Sequence, residues 1–203
     1  MVEKMAENEV LLQSNEKELV DFLAKQYGIE VADDAGVRIG VLSDKKISLN
    51  REARGETERL FIIAHLFGHM VRLPDHDKYK PLFNKFKKEK ILTFPNLAES
   101  EHFRESWIEY EMERWKIGKK LLETSLGVKR VEYLDEKFQI YIDTDLATTW
   151  EYLTKGEQTS NTDFNALLER RYLDGVGRYP NKLESIDLPD KIEFNKGVLA
   201  EVH

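Results

Sequence analysis

Between Glu58 and Leu73 the chain reads ERLFIIAHLFGHMVRL, and from Leu60 to Val71 the only strongly polar side chains are His65 and His69. A run this apolar, free of proline and holding one glycine, predicts a helix that is greasy on all sides and buried at the centre of its domain. Pro74 requires that helix to end or kink. The segments around it are patterned differently. Met1 to Gln13 is a charged, loose start; Leu19, Val20, Leu23 and Tyr27 then mark an amphipathic helix that begins near Ser14 and stops at Gly28. Val37–Leu42 and Lys46–Leu49, separated by Ser43-Asp44-Lys45, read as two strands of a hairpin. Glu105–Leu122 predicts a strong helix with Trp107, Ile108, Met112, Trp115, Gly118 and Leu122 turned inward, and Gly127 closes that region. Lys137–Ile142 (KFQIYI) is strand-like, and Asp145–Leu153 and Asp163–Leu173 look helical, introduced by Thr144 and by Ser160-Asn161-Thr162.

Composition narrows the class. With 203 residues, 41% hydrophobic and 34% charged, the chain suits one soluble globular domain plus an appendage, large enough for a proper core. A formal net charge of −7 argues against general nucleic-acid binding, which calls for a basic face. There is no cysteine, so disulfides and thiolate metal sites are excluded and only histidine and carboxylates remain as strong ligands. No signal-peptide core and no membrane-spanning run is present, and a cytoplasmic location is expected. Lys78–Glu101 alternates six lysines with Phe83, Phe86, Ile91, Leu92 and Phe94, as an exposed connection that pins aromatics to the core, or as a docking flap for an acidic partner.

The chemistry lies in the apolar helix. Histidines four apart share a helical face, with Cβ atoms about 5–6 Å apart, so both imidazoles can reach one metal ion. Burial assists by disfavouring the imidazolium. The alternative is a pair of core histidines satisfied by backbone carbonyls.

The pattern Phe61-x-x-Ala64-His65-x-x-Gly68-His69 resembles the metal-binding helix of the ImmA/IrrE metallopeptidases, which typically reads F-T-L-A-H-E-L-G-H. Leu66 stands where that family carries its catalytic glutamate. Upstream, Ile47-Ser48-Leu49-Asn50 is similar to the family's I-x-x-N, and the resemblance implies an edge strand able to pair with extended substrate. Downstream, Glu111 to Leu122 is similar in frame to the family's E-x-E-A-N helix, with Arg114-Trp115 in place of Ala-Asn. Transfer by position implies Glu113 as third metal ligand, with Glu111 as the fallback. Asp75, six residues after the second histidine, is a further alternative, although Arg72 stands where its motif needs glycine. The resemblance covers roughly residues 15 to 122.

Together these features imply an α+β fold: a mostly helical, zinc-peptidase-like core with a small antiparallel sheet beside the metal helix, in residues 1–125, and a helical extension packed on it in residues 126–203. The expected function is that of a degenerate ImmA/IrrE-type metallopeptidase. It would hold zinc through His65, His69 and Glu113 and bind a protein partner, a transcriptional repressor by the family's pattern or another protein, with little or no hydrolysis. Two rival readings are an active peptidase with a displaced base, for which Glu109 is the best placed, and a metal-free interaction protein.

Overall fold

The computed structural model describes residues 2–37, 39–43, 45–72, 76–79, 101–155, 159–174, 183–188, 192–194 and 200–202. In chain order the elements are α1 (Val2–Tyr27), β1 (Glu30–Asp33), β2 (Gly40–Ser43), β3 (Lys46–Leu49), α2 (Glu56–Met70), β4 (Val71–Arg72), a 3-10 turn (His76–Tyr79), α3 (Glu101–Leu126), α4 (Val128–Lys155), α5 (Asn161–Asp174), β5 (Glu193–Phe194) and β6 (Ala200–Val202). The class is α+β, and helix dominates. Among the described residues, no helix is long and apolar enough to cross a membrane. Asp75, most of the lysine-rich connection, and the tail glycines and prolines lie outside the described residues.

The apolar stretch is the central helix, as its pattern requires. Every residue of α2 from Leu60 to Met70 is buried, including both histidines. Burying a leucine, isoleucine or phenylalanine stabilises by roughly 1.5–3 kcal/mol. A helix cap is worth about 1 kcal/mol, so packing governs this helix; its N-cap, Gly55, makes no side-chain cap hydrogen bond. The chain leaves α2 three residues earlier than its pattern suggests. Val71 turns extended and, with Arg72, pairs antiparallel with β5.

The small sheet is not simply antiparallel. Its order is β1-β3-β2-β6, with β2 antiparallel to β3 and to β6 but β1 parallel to β3. The expected hairpin supplies β2 and β3, and β1 joins the open edge of β3 running in the same direction as it. Asn50 ties the hairpin's exit to its entry: its side-chain nitrogen donates to the Val37 carbonyl at 3.0 Å, and its backbone N–H donates to the Ile39 carbonyl. Gly40 lies on α2, where an added Cβ would stand 3.1 Å from both Ile62 and Leu66.

Three sequence expectations need correction. The start of the chain is helical from Val2, continuous with the predicted amphipathic helix. The strand expected at Lys137–Ile142 is the middle of α4, a 28-residue helix. Its β-prone residues also carry a helical repeat, Val131, Leu134, Phe138, Tyr141 and Asp145, all buried, and packing on that face overrides local preference. Thr144, expected to open a helix, lies inside one and donates its hydroxyl to the Ile140 carbonyl at 2.7 Å.

The helices α2 and α3 pack in close backbone contact. An added Cβ on Gly68 would collide with the Arg114 carbonyl, and one on Gly118 would stand 2.6 Å from the Ala64 carbonyl oxygen. Each helix thus presents a glycine to the other's backbone. Arg114, with no exposed surface, locks the crossing by donating from Nη1 to the carbonyls of Gly68 (3.1 Å) and Val71 (2.9 Å) at the end of α2.

Gly68→Ala reads this contact out. In an exposed helix the change gains about 1 kcal/mol. Here it is expected to cost on the order of 3 kcal/mol, because the backbones must separate. Equilibrium urea unfolding measures it, and a neutral or stabilising result would show that the helices do not need the close approach.

Candidate metal centre

The close crossing brings one acid of α3 onto the histidine pair. His65 Nε2 and His69 Nε2 are 3.1 Å apart, and Glu111 Oε2 lies 3.3 Å from the first and 3.2 Å from the second. All three side chains are buried, with residue exposures of 4%, 7% and 8%. The helical repeat explains why Glu111 is the one that arrives. Trp115 and Gly118 face α2, and Glu111 precedes them by four and seven residues, on the same stripe.

Glu113, the ligand expected from position in the motif, is not part of the cluster. Two residues further on, it is rotated by about 200° around the helix. There it accepts from Lys78 Nζ at 2.7 Å, and the same ammonium group lies 3.2 Å from Glu109. Glu109, the proposed substitute base, is more than half exposed within that ion pair. Leu66 is fully buried and packs against β2 at Gly40. The structure therefore joins His65 and His69 to Glu111 and places Glu109, Glu113 and Leu66 elsewhere.

The three atoms suit a metal ion. Ligands 2.0–2.1 Å from a tetrahedral zinc stand about 3.3–3.4 Å from one another, close to the spacing seen here. Two imidazole nitrogens and a carboxylate oxygen form a donor set that zinc accepts. The surroundings of the rings agree. His69 turns its other nitrogen, Nδ1, to the Tyr110 hydroxyl at 3.0 Å, and His65 lies against the Trp115 ring at a centroid separation of 4.1 Å. His65 Nδ1 is buried and has no hydrogen-bond partner among the described residues. The arrangement does not match the alternative of two core histidines bonded to carbonyls, since both Nε2 atoms meet a carboxylate and each other.

Electrostatics keep the acid ionised. Burial by itself would raise the pKa of Glu111, but His69 and His65 outweigh it and hold the carboxyl well below its usual range. Asp145, which sequence reasoning missed, behaves in the opposite way. Its Oδ2 accepts from the indole Nε1 of Trp115 at 3.1 Å, so it stands behind the ring that supports His65. Burial pushes its carboxyl up to about 6, with Glu111 adding to the rise and His65, Trp115 and Arg54 opposing it. Its position on the buried repeat of α4 was the available signal, hidden by reading that segment as part strand.

This shift has a definite sign. The folded value, about 6, lies above the 3.8 of an ordinary aspartate, so the folded protein binds the extra proton between them. The contribution of Asp145 to stability is therefore lost as pH rises through that window. Asp145→Asn keeps an acceptor for Trp115 and removes the charge. In metal-free protein its advantage is expected to be absent below about pH 3 and to reach on the order of 3 kcal/mol above about pH 6.5. Denaturant unfolding across that range checks this; a less stable variant at neutral pH would mean that the charge itself is stabilising.

No family model matches the chain, and neither a curated protein nor a solved structure matches it. The centre is thus defined by its geometry alone: a buried His65–His69–Glu111 group that can hold a metal ion.

Proposed function

We propose that the chain is a metal-binding, non-hydrolytic relative of the ImmA/IrrE metallopeptidases, holding zinc through His65, His69 and Glu111 and acting in the cytoplasm by binding a protein partner, a transcriptional repressor. The observation that carries this proposal is the spacing of the three buried ligand atoms, 3.1–3.3 Å, on a helix that also bears the resemblance. Two imidazoles and one carboxylate are also the protein ligands of known catalytic zinc sites.

The surroundings favour binding over cleavage. A bound zinc ion would polarise an attached water and lower its pKa. Hydrolysis also needs a positioned carboxylate to take that water's proton, typically worth 10²–10⁴-fold. Position 66 offers a leucine packed on the sheet, and the nearby acids Glu109 and Glu113 are engaged by Lys78. The ligands are also almost wholly enclosed, whereas cleavage would need the metal's open position to meet a peptide.

Metal content of purified variants tests the ligand set. Wild type and Glu113→Gln should each carry about one equivalent of zinc, while His65→Ala, His69→Ala and Glu111→Gln should carry little. Equal content throughout would remove the site, and loss in Glu113→Gln with retention in Glu111→Gln would return the third ligand to residue 113. Chelator-sensitive cleavage of a repressor by the wild type would overturn the non-hydrolytic half of the proposal.

A further inference from the structure

Tyr110 precedes Glu111 on α3 and meets the centre from the other side of His69. Its hydroxyl lies 3.0 Å from His69 Nδ1, while Nε2 of the same ring faces Glu111 and His65. A ring that gives Nε2 to a metal carries its proton on Nδ1, and that N–H needs an acceptor. The phenol oxygen is placed to be one. A hydroxyl can also donate to a bare Nδ1, so the contact can persist when the ring's proton lies elsewhere. His65 is held differently, against the tilted Trp115 ring, with its own Nδ1 lacking a partner among the described residues.

Tyr110 is itself held from several directions. The Arg114 guanidinium lies 4.5 Å from its ring centroid and is fixed by the two carbonyls at the end of α2. Tyr79 meets the ring edge-on at 5.1 Å, and the preceding residue, Lys78, ties that turn to Glu109 and Glu113 on α3. Trp107 stands 5.8 Å away. With Phe103 and Leu153, Tyr79 and Tyr110 make a buried cluster separate from the main core. The hydroxyl therefore has a fixed address beside His69.

We infer that Tyr110 is the positioning residue of the metal centre, fixing the orientation of His69 and the tautomer that presents Nε2 to the ion. This rests on the metal-binding proposal above and goes beyond it by assigning a residue that touches no metal. Tyr110→Phe removes the hydroxyl and keeps the ring in its cluster; Trp107→Phe is the control for packing. The probe is the metal alone: zinc and cobalt titrations against a chromophoric chelator, with circular dichroism to verify the fold. Nitrogen-15 NMR of the histidine rings reports the tautomer.

Tyr110→Phe is expected to bind zinc about 10–100-fold more weakly than wild type, with Trp107→Phe affected far less. In the zinc-loaded wild type, His69 should show a protonated Nδ1 and a metal-bound Nε2. Wild-type affinity in Tyr110→Phe would overturn the role of Tyr110 while leaving the metal site standing. Equal weakening in both variants would also overturn it, because packing and not the hydroxyl would then be responsible. A wild type that takes up neither metal would overturn this inference together with the proposal beneath it.

Discussion

The fold turns on how closely α2 and α3 approach. Gly68 and Gly118 let each helix rest on the other's backbone, and Arg114 closes the crossing by capping the end of α2. Without that approach Glu111 would not come within 3.3 Å of either histidine. The remaining elements reinforce it. Arg59 on α2 pairs with Glu16 on α1 at 2.8 Å in a mostly buried bridge. Lys119 on α3 reaches both Asp135 on α4 and the Leu183 carbonyl, each at 2.8 Å. On α4, Phe138 and Tyr141 fill the space beside Phe61 and Trp115.

A carboxylate and two imidazoles enclosed together are an expensive core unless something balances them. An isolated buried charge costs several kcal/mol even after relaxation, and Glu111 is held in its charged form. Protonating an imidazole supplies one balance, and a divalent cation supplies a stronger one. The position after the first histidine makes no such demand. Leu66 adds apolar contact with β2, so replacing it with glutamate would place a further acid against the sheet.

Much of this was legible in the sequence where a single physical signal acted alone. The apolar stretch around His65 and His69 had no competing reading, and the hairpin at residues 40–49 had turn residues to mark it. Legibility failed where two signals competed. KFQIYI satisfies both strand preference and a helical stripe, and burial against Phe61 and Trp115 decided for helix. Motif position points to Glu113, with Glu111 as the fallback, whereas Trp115 and Gly118, both on the inward face, point by helical spacing to Glu111, the acid found in the cluster. The parallel placement of β1 and the arrival of β6 at the sheet edge are long-range pairings that no local pattern encodes.

The most direct test of the centre is a crystal structure of the zinc-treated protein with anomalous data at the zinc edge. It should show one principal peak, about 2.0–2.2 Å from His65 Nε2, His69 Nε2 and Glu111 Oε2, with α2 and α3 in unchanged contact at Gly68 and Gly118. No peak between the helices, or one that draws in Glu113 in place of Glu111, would contradict the account.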